Sequence, residues 1–309
     1  MKAILHPRCP SSRSTPFDVP IPIRGFFPHN PCTTSNICDP PGVDTATFLQ
    51  TRTIFSLDEA ARALGAAGGR KGTRERLKYA ARQGRVKRVA GAVYATVPAG
   101  VSPKEFQPDP FLVAATLRHD AIFTHHSALE LLGAGHSEWR LCTAATARRR
   151  AGVDLGGTKL RFLSHPRALV QRGLSALGTR SVTRLDRELH VTGPERTLLD
   201  GFRQPELVGG LAELVESAAG FSVLDLELLV DVLDAYGQKK LWAAVGWFLE
   251  RHRSTFFVDE ALLERCAGEV PKKPQYLVRS ERGGVLARRW NLMLPANLVR
   301  AGEPDEPAP

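Results

Sequence analysis

The hydrophobic pattern changes period along the chain. Near the N-terminal end it is helical: a helix is predicted from Thr45 to Thr53, and Leu57, Ala60, Ala61 and Leu64 then recur three to four residues apart. Ser56-Leu57-Asp58-Glu59 opens that second stretch as a capping box, and Gly65 closes it. Gly68-Gly69-Arg70-Lys71-Gly72 reads as a flexible basic loop, after which Thr73 caps a helix running to Gln83, which Gly84 terminates. In this helix Leu77, Ala80 and Ala81 form the inward stripe, and Arg74, Lys78 and Arg82 share the opposite face. The period then becomes two, with strands at 85–89 and 92–97 joined through Ala90-Gly91. Helices followed by a hairpin in about fifty residues predict a winged helix-turn-helix.

Val101 to Pro110 is proline-rich and reads as a linker. Beyond it a larger mixed region is predicted. A helix opened by Asp109-Pro110 covers Phe111 to His119, and another covers Thr124 to Leu132, with Thr124 as its cap. Strands follow at 139–144 and 159–163, around a basic loop with Arg148, Arg149 and Arg150. Residues 181–192 alternate about a turn, and Gly193-Pro194-Glu195 starts a helix with proline at its first position. Four further helices are expected at 205–220, 225–236, 239–252 and 259–266, then a hairpin at 275–294 around Gly283-Gly284. The fold class is therefore α+β: a winged helix at 48–100, a linker at 101–110 and a helix-rich α+β domain at 111–298. Repeated prolines at 1–47 and the acidic, proline-rich end at 299–309 predict disordered tails.

Charge sharpens this picture. The whole chain is +10, yet residues 51–100 carry eleven bases against three acids, a net +8. Residues 193–270 run the other way, with fourteen acids against seven bases. A basic patch confined to one small unit is what a phosphate backbone attracts, by Coulomb attraction and counterion release. The candidate DNA-contacting set is Arg70, Lys71, Thr73, Arg74, Arg76, Lys78, Arg82, Arg85, Lys87 and Arg88, and the expected partner is double-stranded DNA. No apolar run approaches membrane-spanning length, and the five cysteines are odd in number and scattered, which fits a reducing, cytoplasmic setting without a membrane partner.

No catalytic constellation is evident, and no cofactor or metal is expected. Gly156-Gly157-Thr158-Lys159 lacks phosphate-loop spacing and precedes a strand. Cys32 and Cys38 lack partners at zinc-finger spacing. His125 and His126, with His119, His136 and Cys142 nearby, could suggest zinc, but adjacent helical histidines point about 100° apart. Asp186-Arg187-Glu188 could suggest a nuclease carboxylate pair, but lacks a following lysine; a surface hairpin is the simpler reading.

Several stretches together resemble the AbiEi family of type IV toxin–antitoxin antitoxins. They are Arg85-Val86-Lys87-Arg88-Val89 with Ala92-Val93-Tyr94, Thr124-His125-His126-Ser127-Ala128-Leu129, Val191 to Asp200 (VTGPERTLLD), and Arg289-Trp290-Asn291-Leu292, spread over about 48–298. The resemblance implies a non-enzymatic, two-domain repressor. Its winged helix would bind inverted repeats in its own promoter, and its C-terminal domain would oppose a nucleotidyltransferase-like toxin. An orphan regulator without a toxin is the alternative, and a nuclease-type DNA-processing enzyme a further one.

Overall fold

A three-stranded antiparallel sheet and three helices build the basic unit. The computed structural model describes residues 43–65, 68–148, 151–278 and 284–300, which belong to one compact unit. The sequence reading of 1–47 as disordered falls mostly outside these residues, as do Arg149, Arg150, Gly283 and most of the 299–309 tail. Helix α1 (Thr45–Thr51) starts where Asp44 accepts from the Ala46 and Thr47 amides. Strand β1 (Ile54–Ser56) follows, then α2 (Leu57–Leu64), whose capping box forms in both directions. Ser56 donates its amide to Glu59 Oε2 at 2.6 Å, and the Glu59 amide donates to Ser56 Oγ at 3.1 Å. Gly65 ends α2 with φ 50°, a left-handed turn that suits glycine.

Helix α3 (Gly69–Arg82) starts earlier than its sequence suggests. Gly68, at φ 83°, turns the chain, and the glycine-rich stretch expected to be a loop forms the first turn. Thr73 is therefore not a cap. It is fully buried, its hydroxyl donating to the Gly69 carbonyl one turn back at 3.0 Å. The buried stripe is Thr73, Leu77 and Ala80, while Ala81 is exposed. Strands β2 (Val86–Ala90) and β3 (Val93–Thr96) form the hairpin, and the sheet order is β1-β3-β2. One side of this sheet covers a core that includes Phe55 and Leu77, with Phe55 stacked on Tyr94 at 6.1 Å. From the other side, Ile54, Val93 and Ala95 enter the core of the larger region.

That larger region opens with α4 (Pro110–Leu117), capped by Asp109, then β4 (Ile122–Phe123) and α5 (His126–Leu131). Next come β5 (Leu141–Thr146), β6 (Val153–Asp154), β7 (Lys159–Ser164), α6 (Arg167–Gln171), β8 (Thr179–Arg184), β9 (Arg187–Thr192) and α7 (Pro194–Arg203). The strands make a mixed six-stranded sheet in the order β6-β7-β5-β4-β9-β8. The expected cap at Thr124 is replaced by β4 and a turn at His125, φ 57°. The Thr124 hydroxyl instead donates to Asp200 at 3.1 Å.

The helical part holds α8 (Leu211–Ala219), α9 (Leu226–Tyr236), α10 (Lys239–Arg251) and α11 (Glu260–Gly268). The helix expected at 205–220 is broken into a short 3-10 turn and α8, because Gly209 and Gly210 take φ 84° and 104°. Helix α10 is buried along most of its length, and Gly246 receives the Trp290 ring so closely that a Cβ there would lie 2.1 Å from it. The terminal segment is not a simple hairpin. Strand β10 (Gln275–Tyr276) runs parallel to β12 (Leu292–Leu294), and β11 (Val285–Ala287) pairs with β12 antiparallel, ahead of α12 (Ala296–Arg300).

Candidate nucleic-acid interface

The outer face of α3 is a row of cations set by helical spacing. Arg70, Lys71, Arg74, Arg76, Lys78 and Arg82 are all exposed, and helical spacing puts Lys71, Lys78 and Arg82 opposite the buried Thr73, Leu77 and Ala80. The hairpin folds back beside this helix and leaves a cleft of about 580 Å³ between them. Arg74, Lys78 and Arg82 line it from α3 and Arg88 from the hairpin, over a floor that includes Leu77 and Tyr94. The hairpin thus stands as a wing beside α3. At about 1.5 Å per residue a helix of this length spans roughly 21 Å, and a B-DNA major groove about 12 Å wide admits a helix.

The cations are not equally available. Arg70 pairs with Asp58 at 3.0 Å. Lys78 pairs with Glu75 at 2.8 Å, and that hydrogen bond holds the exposed Glu75 carboxyl below its usual range, with Arg82 and Arg74 adding to the effect. Arg88 Nε donates to the Gly91 carbonyl at 2.7 Å, which fixes the guanidinium beside the turn of the wing. Lys87 lies on the other side of β2: half-buried, its Nζ donates to the Phe106 carbonyl at 2.7 Å. Arg85 is exposed just before β2. The structure therefore gathers Arg74, Lys78, Arg82 and Arg88 on one concave face. It places Thr73 inside the core and turns Lys87 toward the segment after the wing. Tyr79, 65% exposed on α3, went unnoticed in the sequence; its signal is an aromatic residue on the polar face of a basic helix.

The other sequence candidates have structural roles. Asp186 and Arg187 sit at the start of β9, where they tie the sheet to the basic unit. Arg52 approaches Asp186 at 3.7 Å, and Arg187 donates to Glu59 and to the Ile54 carbonyl, both at 3.0 Å. Gly156 and Gly157 lie in the turn between β6 and β7, where the Gly156 amide donates to Asp154 at 2.8 Å. The histidine cluster does not converge. His126 Nε2 lies 3.3 Å from Ser137 Oγ and its ring stacks on Trp139 at 5.4 Å, while His119 and His136 are exposed. Cys142 is buried, which pushes its thiol up to about 12. Among the described residues no group of three or more His, Cys, Asp or Glu is placed to hold a metal ion.

The VTGPERTLLD stretch forms a buried polar centre. Glu195, Arg196 and Asp200 on α7 are all at most 2% exposed. Burial works against the Asp200 carboxylate, but the charges of His125, Arg196 and Arg203 and the Tyr236 hydrogen bond outweigh it and hold its pKa low. Tyr236 donates to Asp200 at 2.8 Å, and Arg196 donates to the Ser175 and Leu177 carbonyls at 2.7 and 3.0 Å. His125 faces the same centre, with both ring nitrogens unpartnered among the described residues, and burial lowers it to about 4.

No helix among the described residues is long and apolar enough to cross a membrane. No family model matches the chain, and no curated protein matches it in sequence. Among solved structures it is similar to the crystal structure of the RV2827C protein from Mycobacterium tuberculosis. That likeness has a TM-score of 0.56 at 17% identity, covering 83% of this chain and 92% of that one. At this identity the likeness establishes a shared α+β fold.

Proposed function

We propose that this protein is a cytoplasmic, sequence-specific DNA-binding repressor that places α3 in the major groove and the wing against the adjacent backbone. The observation that carries this reading is the cleft in which Arg74, Lys78, Arg82 and Arg88 converge from two elements. Arginine is suited to reading guanine through two hydrogen bonds, worth ~1–3 kcal/mol per pair, while lysine chiefly supplies charge. Following the AbiEi resemblance, the targets are inverted repeats in the protein's own promoter, and the larger region opposes a nucleotidyltransferase-like toxin. The antitoxin role rests on the sequence motifs alone.

Fluorescence anisotropy with DNA from upstream of the gene, against a shuffled duplex of equal length, tests the DNA reading. Tighter binding to the upstream DNA is expected, with loss on Arg74→Ala plus Arg82→Ala. Equal affinity for both duplexes would remove sequence-specific repression. For the second role, a nucleotidyltransferase-like gene next door whose toxicity is relieved by co-expression supports an antitoxin, and unrelieved toxicity refutes it.

A further inference from the structure

The acidic helical part carries a groove whose charged lining is mainly acidic, the reverse of the basic cleft. Helices α9 and α11 frame it, with a volume of about 440 Å³. Its apolar lining includes Leu226, Val230 and Leu262, and its carboxylates are Glu227, Asp231 and Asp259. Arg265, the one base in the lining, is held by Asp234 at 3.2 Å and lies over the Trp242 ring at 5.8 Å. Phe257, 90% exposed, is also part of the lining.

Phe257 is the unusual feature. Its neighbours Phe256 and Val258 are buried at 8% and 4%, so the chain on both sides is anchored. Arg253 Nε donates to the Val258 carbonyl at 3.0 Å and fixes the turn. Phe257 itself takes φ 52°, a left-handed conformation that bulky side chains rarely adopt. A large ring is therefore held out in solvent on a strained backbone, beside an apolar floor rimmed by acids. Backbone strain and exposed aromatic surface both disfavour the free protein, and both are features of ligand clamps and interface anchors.

We propose that this groove docks a basic amphipathic helix of a partner protein. Its leucines would meet Leu226, Val230 and Leu262, its lysines or arginines would meet Glu227, Asp231 and Asp259, and Phe257 would pack against it. Charge complementarity selects this occupant: among the described residues Glu227, Asp231 and Asp259 have no ion-pair partner, Asp259 also capping α11 by accepting from the Leu262 amide at 2.8 Å, and the groove's Arg265 is committed to Asp234. The basic cleft is lined by other residues, those of α3 and the β2–β3 hairpin among them, so this surface does not depend on the DNA reading.

The test uses the full chain and three fluorescein-labelled synthetic peptides: an amphipathic Leu/Lys helix, its Leu/Glu counterpart, and a scrambled Leu/Lys sequence. Anisotropy titrations compare the unmodified protein, Phe257→Gly, Glu227→Lys plus Asp231→Lys, and a remote control, Glu188→Lys plus Glu216→Lys. Specific binding of the amphipathic Leu/Lys helix is expected. It should weaken at least tenfold in both groove variants and less than twofold in the control, and the melting temperature of Phe257→Gly should be unchanged or higher. Equal binding by the scrambled peptide, or equal loss in the control, would reduce the effect to bulk charge and overturn the proposal. So would the absence of binding. Concentration-dependent self-association that Phe257→Gly abolishes would assign the groove to a second copy of this chain instead.

Discussion

Lys87 and Arg88 are adjacent in β2 and look interchangeable in the sequence, yet the structure predicts opposite behaviour for them on DNA. Arg88 faces the cleft with Arg74, Lys78 and Arg82. The Lys87 ammonium is bound to the Phe106 carbonyl at 2.7 Å, and would have to give up that bond to reach a phosphate. Each phosphate contact contributes about 0.9 to the slope of log K against log salt, so four cleft bases, if each neutralises a phosphate, give a slope of at most about −3.6. Between ~50 and ~200 mM salt that is a loss of roughly 150-fold in affinity, and one contact accounts for about 3.5-fold of it. Arg88→Ala, on the wing, should therefore flatten the slope by about 0.9, and Arg74→Ala plus Arg82→Ala by at most about 1.8. Lys87→Met, which keeps the aliphatic stem, should leave the slope unchanged and instead lower unfolding stability by about 1–2 kcal/mol, because a carbonyl loses its charged donor. The assay is an anisotropy titration of one DNA duplex across that salt range, paired with urea unfolding of each variant. Equal flattening by Lys87→Met and Arg88→Ala would refute this assignment of faces. If neither changed the slope, the cleft would not be the contact surface.

Three further outcomes test the fold. The buried His125 imidazole is lowered to about 4 from its usual 6.5, so from pH 6.5 down to 4 the unfolded chain takes up a proton that the folded chain refuses. Stability should fall across that window, by about 3 kcal/mol from this group, while the Asp200 carboxylate loses its contribution only at lower pH, below about 3.9. His125→Asn, which tolerates the left-handed φ, should reduce the dependence seen by urea unfolding at several pH values. It should not abolish it, since burial also lowers His126, His165 and His252. Gly246→Ala would set a Cβ 2.1 Å from the Trp290 ring and should cost about 3 kcal/mol, read as a lower urea midpoint by circular dichroism. Phe257→Gly relieves a left-handed φ at an exposed site and should raise unfolding stability by about 1 kcal/mol, whereas a loss would mean the ring packs in solution.

What the sequence disclosed, and what it hid, divides by the reach of the interactions involved. The Ser56–Glu59 capping box, the helix stop at Gly65, proline at the start of α7 and the turn within 181–192 were legible because their hydrogen bonds close within a few residues. Strand β1 is three residues long and exists because Ile54 pairs with Ala95, which no local pattern announces. Gly69 to Gly72 look like a loop, and become helix because Thr73, Leu77 and Ala80 bury the same face. Likewise Thr124 answers to Asp200, and Gln275 to Leu292, rather than to their neighbours.

The candidate site follows the same division. Which cations the basic unit holds could be read from the chain, but their availability is decided by Asp58, Glu75, Gly91 and Phe106, and the last of these lies beyond the wing. That tie is one of several. Arg187 of β9 holds Glu59 and the Ile54 carbonyl, and Ile54, Val93 and Ala95 complete the core beneath α4. The sheet bearing the wing is thus also a wall of the larger region. Packing against α4 and hydrogen bonding to β9 are therefore conditions for the geometry of the Arg88 cleft, and a core substitution at Phe123 should loosen the wing without altering any of the four cleft cations.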